Sequence, residues 1–218
     1  MKLLVPFLLR DWRIERTYRF AMALQLGEVV AAVAGYYFLS QFVDGRLDEP
    51  VGPYAGGYFA FVLVGLTLHA FLATGLESIS RRVREAQLAG NLEALLTTPF
   101  PAGEVALCTM AYPLLATAAT STAWFALGAG LFGLSLPPAN WAGAAAVLAL
   151  STFAFAGLGI FSASFVLVFQ RGSPVPPVVE ALSFLLAGVL YPVDVLPGWL
   201  RVASTLFPLT HSIRGTRD

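Results

Sequence analysis

The sequence predicts an all-α membrane protein, a polytopic helix bundle, and three observations carry that prediction. Hydrophobic residues make up 57% of its 218 positions against 12% charged, with a mean hydropathy of +0.74, more apolar surface than a soluble domain of this length can hide. Five runs reach the roughly 17–25 apolar residues needed to cross a ~30 Å hydrocarbon core as helix. Charged or turn-forming residues bound each run, as the ends of membrane-spanning helices require.

The five predicted spans cover residues 20–43, 56–76, 104–132, 141–169 and 176–195. Arg19 and the Asp44-Gly45-Arg46 turn bound the first, and Gly56-Gly57 and Glu77 the second. The third closes at Ser135–Asn140 with Pro137-Pro138, and Gln170-Arg171-Gly172-Ser173-Pro174 separates the last two. Helix is required because backbone groups in lipid must bond within their own segment. The runs are too long and continuous for barrel strands.

Lys and Arg placement orients the chain, since these residues are retained on the cytoplasmic side. Lys2, Arg10, Arg13, Arg16 and Arg19 precede the first span, Arg81, Arg82 and Arg84 follow the second, and Arg171 follows the fourth. The alternate loops are poor in them: Asp44, Asp48 and Glu49 stand against Arg46 in one, and Ser135–Asn140 is uncharged. The expectation is a multi-pass plasma-membrane protein with its N-terminus in the cytoplasm. Met1 to Leu9 lacks the apolar core and small-residue cleavage site of a signal peptide.

Residues 1–19 interleave Leu4, Phe7, Leu8, Trp12 and Ile14 with Arg10, Asp11, Arg13, Glu15 and Arg16. That pattern suits a helix along the cytoplasmic surface, apolar side in the headgroup boundary and arginines toward phosphates; a polar leader to the first span is the plainer alternative. The pI near 6.7 and zero formal charge give no basic face for nucleic acid.

The most informative stretch is residues 84–99, a polar segment between the second and third spans. Leu88, Leu92, Leu95 and Leu96 recur at i, i+4, i+7 and i+8, on one helical face, while Arg84, Glu85, Gln87, Asn91 and Glu93 occupy others. Gly90 weakens this helix in its middle, and Thr97-Thr98-Pro99 ends it. A short, bent, amphipathic helix is expected, which periodicity alone reads equally well as a docking element or a solvated connector.

The pattern Glu85, Gly90, Leu92-Glu93, Leu95-Leu96 and Thr98-Pro99 resembles the loop of type-2 ATP-binding-cassette permeases. Gly188, Tyr191-Pro192, Leu196-Pro197, Trp199-Leu200 and Pro208-Leu209-Thr210 look like that family's fifth span, outer re-entrant hairpin and exit. The resemblance covers essentially the whole chain as a single transmembrane domain. It implies an exporter subunit whose segment 84–99 docks on a separate cytoplasmic ATPase, with Arg84, Glu85, Gly90, Leu92, Glu93, Leu95, Leu96 and Pro99 as the coupling residues.

By the same resemblance, ATP and Mg are bound by the partner ATPase and no cofactor by this chain. The sequence agrees, having no G-x-x-x-x-G-K-[ST] loop to cradle phosphates. Five or six spans are too few to enclose a broad hydrophilic route, so a second permease copy is expected, forming a homodimer or heterodimer in the lipid bilayer. The family's sixth span is not evident, because His211–Asp218 is polar, and the chain is expected to be C-terminally incomplete.

Proline at 192 and 197 removes backbone donors, and Trp199, Leu200, Leu206 and Phe207 keep enough apolar surface to dip back into the membrane. A re-entrant hairpin over 196–207 is therefore expected, placing Tyr191, Pro192 and Pro197 along the translocation path. Glu28 and Glu180, carboxylates within spans, either line that path or are snorkelled or hydrogen-bonded within the bundle. His69 reads as a satisfied bundle histidine, since no second ligand accompanies it at metal spacing. His211 falls in a loop, and Cys108, the lone cysteine, lies in an apolar run, so no metal or disulfide framework is expected.

Ala31 with Gly35 and Gly159 with Ala163 have the spacing that lets helices approach closely in lipid. Phe153, Phe155, Phe161, Phe165 and Phe169 string along the fourth span, as lipid-facing or packing residues or against a hydrophobic substrate, and Trp141 fits an interfacial anchor. No H-E-x-x-H or G-x-S-x-G motif occurs, so no catalytic residue is assigned and an enzyme is not expected. A secondary carrier or a non-transporting membrane scaffold are the alternatives to a permease.

Overall fold

A computed structural model describes residues 4–44, 57–90, 101–134, 141–169, 174–205 and 207–217. The described residues form α-helices and one 3-10 turn, in the order α1 (Leu4–Thr17), α2 (Arg19–Asp44), α3 (Gly57–Leu88), α4 (Ala102–Phe132), α5 (Trp141–Phe169), α6 (Val175–Leu186), a 3-10 turn (Val193–Val195), α7 (Gly198–Ser204) and α8 (Pro208–Arg217). The all-α membrane bundle expected from composition is the fold observed.

Four helices, α2 to α5, are long and apolar enough to cross a bilayer. Their 26, 32, 31 and 29 residues extend roughly 40–48 Å at 1.5 Å per residue. The fifth predicted span is corrected: α6 has 12 residues, roughly 18 Å, and stops short of a crossing. Its end is local in cause. The chain turns at Gly188, whose φ of +79° is open to glycine at little cost, and a Cβ there would lie 2.8 Å from the Val193 side chain.

The bundle is organised around α3, which packs on α2, α4, α5, α6 and α8. Its approach to α5 depends on missing side chains: a Cβ on Gly159 would fall 2.1 Å from the Gly75 carbonyl oxygen, and one on Gly75 would fall 2.8 Å from Phe155 Cβ. Phe155 is fully buried there with Leu68, Leu72 and Leu76. The other aromatics of α5 divide, Phe153, Phe161 and Phe169 facing outward while Phe165 stands edge-on to Phe161 and stacked on Phe169. Ala31 and Gly35, by contrast, are exposed on α2, and a Cβ at Gly35 would meet nothing within 4 Å.

A second correction concerns the C-terminal stretch. His211 lies in a helix and not in a loop, with Nε2 donating to the Thr205 carbonyl at 2.9 Å. Leu209 and Ile213, one helical turn apart, are buried in the same core as Phe155. Ser151 Oγ donates to Ser212 Oγ at 2.6 Å, joining α8 to α5.

Candidate functional site

Charged side chains concentrate where α3 runs past its apolar stretch. Arg81, Arg82, Arg84, Glu85 and Gln87 are good helix formers, and they continue α3 to Leu88 as one helix from Gly57. Arg82 Nη1 reaches Glu85 Oε2 at 3.5 Å, and Arg84 Nη1 donates to Gln87 Oε1 at 3.4 Å. Gln87 Nε2 donates to the Val166 carbonyl at 3.1 Å, tying this extension to α5.

Ala89 N–H bonds the Glu85 carbonyl, Gly90 N–H bonds that of Gln87, and Gly90 takes φ +69°, a left-handed helix ending that glycine favours. The segment 84–99 is thus corrected from one helix bent at its middle: Arg84 to Leu88 finish α3, and Gly90 terminates it. Leu92, Glu93, Leu95, Leu96 and Pro99 lie outside the described residues.

The N-terminal helix is fastened to this extension. Arg82 Nη2 donates to both carboxylate oxygens of Asp11 at 3.1 Å, and Arg10 Nε donates to Asp11 Oδ1 at 2.8 Å. Asp11 is only 7% exposed, a burial that a carboxylate accepts when paired and hydrogen-bonded. A turn further on, Tyr112 of α4 donates its hydroxyl to Glu15. Asp11 and Glu15 make the face of α1 toward the bundle acidic, while Val5, Leu9 and Trp12 are exposed.

Three cavities surround the α3 extension. One of about 420 Å³ opens between α1, α2, α3 and α4, one of about 250 Å³ lies toward the start of α6 and its Pro176-Pro177, and a polar one of about 80 Å³ sits at Ser78, Thr109 and Pro113. Arg81 and Glu85 line all three.

The other predicted site residues are not gathered here. Glu28 is exposed on α2, and Glu180 is half-buried on α6 against α3, with its Oε1 buried and unpartnered. No hydrogen bond or ion pair joins the two among the described residues. His69 Nε2 donates to the Glu180 carbonyl at 3.3 Å and its ring meets Phe184 edge-on at 5.2 Å, the satisfied bundle histidine expected. Tyr191 donates its hydroxyl to the Leu185 carbonyl, folding the stretch after α6 back on that helix. Pro192 and Pro197 are extended residues that precede the 3-10 turn and α7. Among the described residues no cluster of metal-ligating side chains occurs.

Tyr112 and Ser78 escaped the sequence reading, and Asp11, Glu15 and Arg82 entered it only as parts of a charge pattern, without their contacts. A signal existed for Asp11, which shares a helical face with Phe7 and Leu8 instead of with the arginines, and an acid on a packed face needs a partner.

Compared with known proteins, residues 3–218 match the family model described as ABC-2 type transporter. The chain is 30% identical over 177 residues to Nodulation protein J of Rhizobium leguminosarum bv. trifolii, covering 77% of this chain and 64% of that protein. It is 27% identical over 160 residues to Nodulation protein J of Rhizobium meliloti (strain 1021), covering 72% and 59%. It therefore spans less than two thirds of the length of these relatives.

Proposed function

This chain belongs to the ABC-2 type transporter family, and from that premise we propose that it is the membrane permease subunit of an exporter driven by a separate cytoplasmic ATPase. The match across residues 3–218 carries the reading. The helical geometry supports it, because the segment 84–99 includes the end of α3 and leads on in sequence to α4, the two helices that a partner pushing on it would move. Those helices are joined by the hydrogen bond between Thr74 Oγ1 and Thr117 Oγ1 at 2.6 Å.

In this reading the N-terminus and the arginine-bearing end of α3 lie in the cytoplasm. ATP and Mg stay on the partner, and Leu92, Leu95 and Leu96 enter an apolar groove on it, with Arg84, Glu85 and Glu93 around the rim. Transport needs a second permease copy, identical or related. Glu28 supports that pairing, since a carboxylate exposed on an apolar helix is costly against lipid and wants protein or water opposite it.

Co-reconstitution of the chain with a candidate ATPase in proteoliposomes tests the proposal. Hydrolysis should rise over the ATPase alone, and crosslinking in native membranes should return permease pairs. Uptake that follows an ion gradient without ATP would instead identify a secondary carrier, and a response to neither would identify a scaffold.

A further inference from the structure

Beyond the transport reading, and without need of any ATPase, the polar cavity at Ser78 and the larger one beside it have the features of a ligand site. The two share Arg81, Arg82, Glu85 and Pro113, so a small polar floor continues into a wider mouth. Ser78 sits at that floor, 5% exposed, and its Oγ is buried with no hydrogen-bond partner. A buried hydroxyl left so is costly to the fold, and a ligand acceptor would satisfy it.

Opposite Ser78, Pro113 lies within α4 and supplies no N–H to the Thr109 carbonyl one turn back. The Thr109 hydroxyl turns instead to the Val105 carbonyl at 2.8 Å. The floor therefore offers both a donor and an acceptor.

Charge at the mouth is selective. Arg82 is committed to Asp11 and Glu85, and Glu15 accepts from Tyr112. Arg81 makes no ion pair or hydrogen bond among the described residues, although it lines both cavities. The walls above it are apolar or amphipathic, made by Ile14, Tyr18, Ala21 and Met22. A free anion has no use for such walls, whereas an acyl chain does.

We propose that this site binds the headgroup of a membrane phospholipid that carries both phosphate and a primary ammonium, with phosphate on Arg81 and Ser78 and ammonium toward Glu85 and the Thr109 carbonyl. The acyl chains follow Tyr18 and Met22 along α2. A zwitterionic headgroup suits the mouth, where the cations Arg81 and Arg82 face the acids Asp11, Glu15 and Glu85.

Native mass spectrometry of the detergent-solubilised full chain, titrated with palmitoyl-oleoyl phosphatidylethanolamine, tests it. The wild type should bind this lipid at least tenfold more tightly than Arg81→Gln and severalfold more tightly than Ser78→Ala, with Arg81→Lys in between. Phosphatidylcholine, whose ammonium cannot donate, should bind more weakly. Millimolar inorganic phosphate should not displace the lipid. Equal retention by wild type and both Arg81→Gln and Ser78→Ala would overturn the site, and displacement by phosphate would overturn the lipid as its occupant. Ser78→Ala removes only a hydroxyl, so the comparison survives if Arg81→Gln fails to fold. Because the assay contains no ATPase, its failure is separate from failure of the transport reading.

Discussion

Arg82 of α3 closes on Asp11 of α1 with both 3.1 Å hydrogen bonds coming from one guanidinium nitrogen, across 71 residues of sequence. Asp11 is buried and Arg82 is one-third exposed, so the pair falls between a surface ion pair and a fully buried one. It places the N-terminal helix against the part of α3 that leads into the segment 91–99. A hydrogen bond to a charged group contributes about 1.5–3 kcal/mol.

Asp11→Asn and Arg82→Gln should each loosen α1, and a double-mutant cycle on thermal unfolding in detergent should return a coupling energy above about 0.5 kcal/mol. Additive losses would show that the contact carries no stability. In the transport reading, both variants should also weaken ATPase stimulation more than ATPase binding.

Gly159→Ala should lower stability by about 1–3 kcal/mol, the usual cost of overpacking, because its Cβ would fall 2.1 Å from the Gly75 carbonyl oxygen. Gly157→Ala, two residues away with nothing within 4 Å of its Cβ, should be neutral or stabilising. Equal midpoints for the two variants would show that α3 and α5 do not approach at Gly75 and Gly159.

Trp199 and Val202 of α7 are 73% and 70% exposed, and in the re-entrant reading of 196–207 they face lipid. Cysteines placed there should resist a membrane-impermeant maleimide in intact membranes and react after detergent is added. Full labelling from either aqueous side would reject the hairpin.

The four long spans were legible because each apolar run is helical: residues 20–43 became Arg19–Asp44 and 141–169 became Trp141–Phe169, although the helix of 56–76 runs on to Leu88. Hydropathy and helix part company after α6. Val189, Leu190 and Tyr191 keep the apolar run going while Gly188 has already turned the chain, so a hydropathy window sees one span where there is a short helix and a turn. At α8 the reverse holds, for His211, Arg214 and Arg217 mask the Leu209 and Ile213 stripe that packs on α3.

In the candidate site, Arg84, Glu85 and Gly90 could be picked out by local pattern, although Gly90 ends a helix instead of weakening one. The Asp11 contact could not be read in this way. Nothing in either segment names its partner, and only the packing of α1 on α4 and α2 brings Asp11 within reach of Arg82.

The central claim is that residues 84–99 couple this chain to an ATPase, and it is tested most directly by replacing Leu92 and Leu95 together with Asp. Burying one leucine contributes roughly 1.5–3 kcal/mol, against roughly 0–1 kcal/mol for a rim charge, so loss of both leucines should weaken docking about 100-fold or more. The double variant should insert into the membrane normally, because in the transport reading this segment stays in the cytoplasm, yet neither retain the ATPase on co-purification nor stimulate its hydrolysis in proteoliposomes. Normal insertion with wild-type ATPase binding and substrate-stimulated hydrolysis would contradict the account.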